Sequence, residues 1–404
     1  AMENARGLFY ITGYNKKGHR HLLSGYYSGT RIATEPDWSY SASDSFHVFH
    51  PTYMLVRYNG SPKARNLVLE MADSMLEHYY DGNMHVLIDV ESDTDEVHER
   101  TREWPLFYAA WQFTGDRKYL APIDEALYRQ QQERYQPKTM EFQAAADYEE
   151  LIKKAALREY INTDGQLWVD RGVIDIARIQ QDRIGGVGHE RFSLYPRHYL
   201  RWHFKPSQET DVAILVTYAS LDKICLTAYN MTDCDITARM TMEDVLPGMW
   251  KAACGYGASP GETDMAWERT IKLERFEGME VVFRPACYTS LTLELAGPGT
   301  PYWERPDLAI DREDVLVKAD CIRVRVHNLG ARESALTTMA LKNADGTVLR
   351  SSQIPPIPAP DDLYPKVMEI PLWTRGLDLS GCYIELDSEQ RMEEITRANN
   401  VVYL

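Results

Sequence analysis

The sequence predicts a multidomain α+β protein, with helical hairpins over residues 1–205, a β-sandwich over 206–300 and a second, Ig-like antiparallel β-sandwich over 305–404. Three observations predict it. The first is a repeat: Pro51-Thr-Tyr-Met-Leu-Val-Arg-Tyr-Asn-Gly60-Ser-Pro-Lys63 and Pro105-Leu-Phe-Tyr-Ala-Ala-Trp-Gln-Phe-Thr-Gly115-Asp-Arg-Lys118 are each followed by an apolar-periodic run, Leu67 to His78 and Leu120 to Gln131. The prolines lie 54 residues apart and the glycines 55. Proline suits a first helical position and glycine a turn, so each unit reads as helix, Gly turn, helix. Arrays of such hairpins bury their apolar stripes against one another. The second is a change of hydrophobic period from 3.6 to 2 after residue 205; the third is the Gly/Pro break Ala296-Gly-Pro-Gly-Thr-Pro301.

Taken in order, Phe142 to Tyr160 continues the helical pattern and stops at Asn162-Thr-Asp-Gly165. Residues 211–218, 223–229, 236–242, 279–283 and 291–295 then alternate as sandwich strands. Beyond the break, Cys321 to His327, Thr337 to Lys342, Val367 to Ile370 and Cys382 to Asp387 read as strands of the last unit. Ile354-Pro-Pro-Ile-Pro-Ala-Pro360 reads as an exposed extended connection between them.

Composition narrows the function. A net charge of −16 over 404 residues disfavours a nucleic-acid partner, because phosphate binding needs clustered Lys and Arg. No apolar run approaches the ~20 residues of a membrane helix, and no stretch reads as a secretory signal. All six cysteines fall in the second half. Strand parity places Cys321 on a polar face and Cys382 inside, which argues for free thiols. No Cys-x-x-Cys occurs, and His98-Glu99 and His189-Glu190 lack the second histidine of a helical zinc motif, so neither a metal site nor a cofactor is expected.

The two hairpins, above all Trp104-Pro-Leu-Phe-Tyr-Ala-Ala-Trp-Gln-Phe-Thr-Gly-Asp-Arg-Lys-Tyr-Leu120, resemble the (α/α)-toroid, or six-hairpin, carbohydrate-active enzymes. Residues 211–295, with Tyr229-Asn-Met-Thr232, Leu246-Pro-Gly-Met-Trp250 and Phe283-Arg-Pro-Ala286, look like the β-sandwich that follows the toroid in many glycosidases and polysaccharide lyases. The last unit is similar to CARDB-type bacterial extracellular modules, on Ile322-Arg-Val-Arg-Val-His-Asn-Leu-Gly330, Tyr383-Ile-Glu-Leu-Asp387 and Glu394-Ile-Thr-Arg-Ala-Asn-Asn400. The resemblance implies a partial (α/α) toroid followed by two antiparallel β-sandwich domains, a saccharide substrate, and an extracellular or periplasmic location. Six hairpins need more than about 300 residues. About 205 precede the first strand, so the ring implied here is partial, or is completed by further hairpins or an oligomer partner.

In a toroid, equivalent helix starts share one rim. Asp44, His47 and His50 would then face His98, Glu99, Arg100, Arg102, Glu103 and Trp104, a titratable set beside an aromatic platform. Read singly, each acid is a helix cap. A second constellation runs from Arg183 to Lys205 and includes Arg191, Tyr195, Arg197, His198, Arg201 and Trp202; it is basic within an acidic chain and suits a carboxylate ligand, or else latches two domains together. The reading is an enzyme that cleaves glycosidic bonds in an acidic, uronate-bearing saccharide. As a hydrolase it would use Glu99, Glu103 and Asp44; as a lyase, Tyr195, His198 and His50 with Arg197. The alternative is a non-catalytic saccharide-binding or adhesion fragment of a larger protein.

Overall fold

The computed structural model describes residues 1–26, 28, 30–33, 35, 39–41, 48–80, 83–86, 88–97, 104–122, 183, 185, 199–208, 211–259 and 261–404. Among the described residues the protein is β-rich, with strands taking 41% and helices 19%. Four α-helices occur among the described residues: α1 (Met2–Ile11), α2 (His50–Asn59), α3 (Pro62–Leu76) and α4 (Trp104–Thr114). The chain divides into a larger unit, Ile11–His50 with Leu69–Gly299, and a smaller one, Ala1–Tyr10 with Pro51–Val68 and Thr300–Leu404.

In the larger unit three small sheets precede a sandwich. β1 (Thr12–Tyr14) and β2 (Arg20–Leu22) form a hairpin, β3 (Tyr40–Ser41) pairs with β6 (Ile88–Asp89), and β5 (Asn83–Val86) lies between β4 (Tyr79–Tyr80) and β7 (Glu96–Val97). The sandwich comprises β8 (Leu200–His203), β9 (Val212–Ala219), β10 (Lys223–Asn230), β11 (Ile236–Met242), β12 (Gly248–Ser259), β13 (Glu262–Leu273), β14 (Gly278–Phe283) and β15 (Tyr288–Pro298). Its sheets run β13-β12-β15-β10-β9 and β14-β11-β8. Alternate residues turn inward, so Leu226, Trp250 and Leu291 of one sheet meet Leu200, Met240 and Phe283 of the other in one buried cluster. β12 and β13 form a long ribbon that the sequence analysis did not assign, although Trp267, Ile271 and Leu273 of the largely exposed β13 alternate along it and pack on or in the core.

The smaller unit carries β16 (Leu308–Ala309), β17 (Val315–Val317), β18 (Cys321–Asn328), β19 (Thr337–Lys342), β20 (Val348–Ile354), β21 (Lys366–Trp373), β22 (Tyr383–Glu385) and β23 (Val401–Tyr403). β18 pairs with β16, β17 and β21, and a second sheet runs β20-β19-β22-β23. The 354–360 connection is extended but not wholly exposed, since Ile354 and Ile357 enter the core. All six cysteines are free, with Cys382 buried and Cys321 only partly so.

No (α/α) toroid of helical hairpins is seen among the described residues, and the six-hairpin resemblance and fold class expected from the sequence are corrected by this β-rich architecture; only the C-terminal β-sandwich part is compatible with it. The local hairpin is real: α2 ends at Asn59, Gly60 takes φ 68° and α3 follows. Its helices are committed elsewhere. The Tyr58 hydroxyl donates to Asp307, Asn59 Nδ2 donates to the Leu329 carbonyl at 2.8 Å, and a Cβ on Gly60 would stand 2.3 Å from that of Trp303. The end of α2 therefore docks on β-sandwich residues instead of on another hairpin. Helix Phe142 to Tyr160 and the run beyond Ala121-Pro122 lie outside the described residues. No helix among those described is long and apolar enough to cross a membrane.

Candidate metal centre

The β1–β2 hairpin turns through Asn15 to Gly18. Asn15 Oδ1 accepts the backbone N–H groups of Lys17 and His19 at 2.9 and 3.0 Å, and Gly18 supplies φ 82°. Because side chains alternate along the chain here, His19 and His21 project together while Arg20 turns the other way. Arg20 bonds Thr12, Tyr14 and Glu70, and its N–H donates to Ser74 Oγ of α3. His78 follows α3. Asp93 comes from a turn in which Asp89 Oδ1 caps Ser92 at 2.7 Å and Asp93 itself adopts φ 62°. A short polar side chain makes that left-handed conformation affordable.

These segments bring His19, His21, His78 and Asp93 together, with one ligand atom from each lying within 4.8 Å of all the others. Asp93 Oδ1 is 2.9 Å from His21 Nε2 and 3.6 Å from His78 Nε2; Oδ2 is 3.1 Å from His19 Nδ1 and 3.1 Å from Lys17 Nζ. Asn15 Nδ2 also donates to Oδ1. Behind His78, its Nδ1 meets Asp95 Oδ2 at 2.7 Å, and Asp95 Oδ1 accepts from Tyr80 at 2.6 Å and lies 3.3 Å from His85 Nδ1. His85 stacks on Tyr80 with ring centroids 3.7 Å apart.

Burial pushes His21 down to about 4 against the pull of Asp93, so it is a neutral imidazole at pH 7. Burial acts to raise Asp93, but the hydrogen bonds it accepts from Lys17 and His21 outweigh it and hold the carboxyl at about 2. Asp95 is held low in the same way, burial being overcome by Tyr80 and His78. A neutral imidazole and an ionised carboxylate are the forms that ligate metals.

A tetrahedral zinc with bonds of about 2.0–2.1 Å holds its ligand atoms about 3.3 Å apart. Asp93 Oδ1 stands 2.9 Å from the His21 nitrogen and 3.6 Å from that of His78, on either side of that value, within a set whose ligand atoms all lie within 4.8 Å of one another. Asp95 supplies the outer carboxylate that orients a ligating histidine. Among the described residues, His21 Nδ1 and His78 Nε2 are buried with no hydrogen-bond partner.

The expected site residues fall elsewhere. His50 opens α2 and Trp104 opens α4, so both stand at helix starts, yet neither belongs to this centre. Arg201 is exposed on β8 and pairs with Glu243 at 3.3 Å. Its neighbour Trp202 packs on Phe204 and Phe283 and donates Nε1–H to the Arg183 carbonyl at 2.8 Å. Asp44, His47, His98, Glu99, Arg100, Arg102, Glu103, Arg191, Tyr195, Arg197 and His198 lie outside the described residues. The sequence pattern did not single out His19, His21, His78 or Asp93. The available signal was His-x-His on a strand.

Among known proteins, the sequence matches no family model and no curated protein.

Proposed function

We propose that this chain binds a divalent transition metal, zinc foremost, through His19, His21, His78 and Asp93. One observation carries the reading. Asp95 is an ionised acceptor, so the His78 nitrogen facing it at 2.7 Å donates, and in a neutral ring Nε2 is then a lone pair aimed at Asp93 Oδ1 3.6 Å away. That separation is too long for a hydrogen bond, and two acceptors facing each other in a buried site need a cation between them. A metal ion meets that need, and three imidazoles with a carboxylate suit zinc. The rival cation is a second proton on His78, making an imidazolium between two carboxylates. Calorimetric titration with Zn²⁺ separates the two: a metal centre binds one ion per chain and His78→Ala abolishes the heat, whereas an imidazolium bridge gives no stoichiometric binding in either protein.

Cleavage of an acidic saccharide is a further proposal, supported by the sequence constellations around Glu99, Glu103 and Asp44 and around Tyr195 and His198. Incubation with uronic polysaccharides, read for reducing ends and for unsaturated product, tests it. Absence of both products across the panel would remove it.

A further inference from the structure

Three of the four metal ligands are locked and one is not. The side chains of His21, His78 and Asp93 are 0%, 4% and 2% exposed, whereas His19 is 26% exposed and its neighbour Lys17 59%. His21 sits in a paired strand, His78 is held from behind by Asp95, and Asp93 is gripped by Asn15 and Lys17. His19 rides on the Gly18 turn, and no hydrogen bond fixes its Nε2 among the described residues. Solvent reaches the centre from the side of His19 and Lys17.

Charge on that side is unbalanced once a metal is bound. The divalent ion and the Lys17 ammonium stand against the single Asp93 carboxylate, and the imidazoles add no negative charge. Asp95 lies on the far side of His78, and Glu91 is already paired with Lys16 at 2.6 Å. A metal with three fixed protein ligands and one exchangeable position is the arrangement that admits an outside ligand.

We infer that His19 is a displaceable ligand, and that the position it vacates receives a carboxylate, bound to the metal through one oxygen and to Lys17 through the other. This rests on the metal reading above. The carboxylate can belong to a sugar acid or to a free small acid, and the shared group is what the site recognises. No bond within the incoming molecule is broken; one metal–nitrogen bond is exchanged for one metal–oxygen bond.

The test uses the full chain loaded with Co²⁺, whose visible absorption reports coordination. Acetate, galacturonate, phosphate and glucose are titrated into wild type, His19→Ala and Lys17→Ala. Expected is that acetate and galacturonate change the spectrum of wild type saturably and glucose does not. His19→Ala should still take up Co²⁺, with weakened absorption as water enters, and should bind the carboxylates more tightly than wild type. Lys17→Ala should keep its Co²⁺ and lose about 10- to 100-fold in carboxylate affinity, the worth of a charged hydrogen bond. A preference for galacturonate over acetate identifies a sugar acid; equal affinity identifies a free acid. A wild-type spectrum indifferent to both carboxylates, a response to phosphate alone, or loss of Co²⁺ from folded His19→Ala overturns the inference while leaving metal binding intact. Failure of wild type to bind Co²⁺ and Zn²⁺ removes the metal reading and this inference with it.

Discussion

His78 stands between two carboxylates, and its two nitrogens are not equivalent: Nδ1 is engaged by Asp95 at 2.7 Å while Nε2 faces Asp93 across 3.6 Å. Asp95 therefore sets which nitrogen is free for a metal. Asp95→Asn keeps an acceptor but removes the charge that makes the ring a stronger ligand, so Zn²⁺ affinity should fall about 10- to 100-fold in a calorimetric titration. An unchanged affinity would show that Asp95 has no part in the centre. A second buried acid offers a pH test in the smaller unit. Burial, with the nearby Asp307 charge, pushes Glu394 up to about 7, against hydrogen bonds from the Leu308 N–H and the Asn400 amide and the charge of Arg397. Its pKa in the folded chain lies above the unfolded value, so the native state holds the extra proton and stability is lost as pH rises from about 4.5 to about 7. Glu394→Gln should melt higher than wild type above pH 7 and equally at pH 4; a difference of the same size at both pH values would rule out titration of Glu394 as its cause.

At the scale of elements, two glycine turns of like appearance should behave differently. Gly60 has φ 68° and no room for a Cβ beside Trp303, whereas Gly115 has φ 73° and, among the described residues, no atom within 4 Å of one. Gly115→Ala carries only the left-handed backbone penalty, about 1–2 kcal/mol, while Gly60→Ala adds a steric clash and should destabilise by more than that. Denaturant melts of the pair would measure the difference, and equal losses would mean that the contact with Trp303 relaxes freely. These turns were legible in the sequence because Gly after an apolar-periodic run has a local cause. What the helices pack against had none: the commitment of Tyr58 and Asn59 to Asp307 and Leu329 joins residues about 250 to 270 positions apart, and no periodicity records it. The sandwich strands 223–230 and 321–328 were legible for the opposite reason, since each buries alternate side chains along its length, as does the first half of 236–242. β13 alternates too, through Trp267, Ile271 and Leu273, but charged residues fill the rest of it and only Leu273 is fully buried.

For the whole molecule, the centre joins three stretches of the larger unit: the 15–21 hairpin, the segment at His78 just after α3, and the 89–95 turn. It was invisible in the sequence because its ligands are 72 and 74 residues apart across the His21–Asp93 and His19–Asp93 contacts, and because β2 is only three residues long. A ligand that binds only the folded chain at a hundredfold excess over its Kd stabilises it by about 2.7 kcal/mol. Chelation should then lower the melting temperature by several degrees and Zn²⁺ should restore it. The most direct measurement is anomalous diffraction at the zinc absorption edge from crystals grown with Zn²⁺. One anomalous peak about 2.0–2.1 Å from nitrogens of His21 and His78, and at bonding distance from an Asp93 oxygen, is the expected result. Four well-ordered side chains bonded only to one another, with no peak among them at saturating zinc, would contradict it.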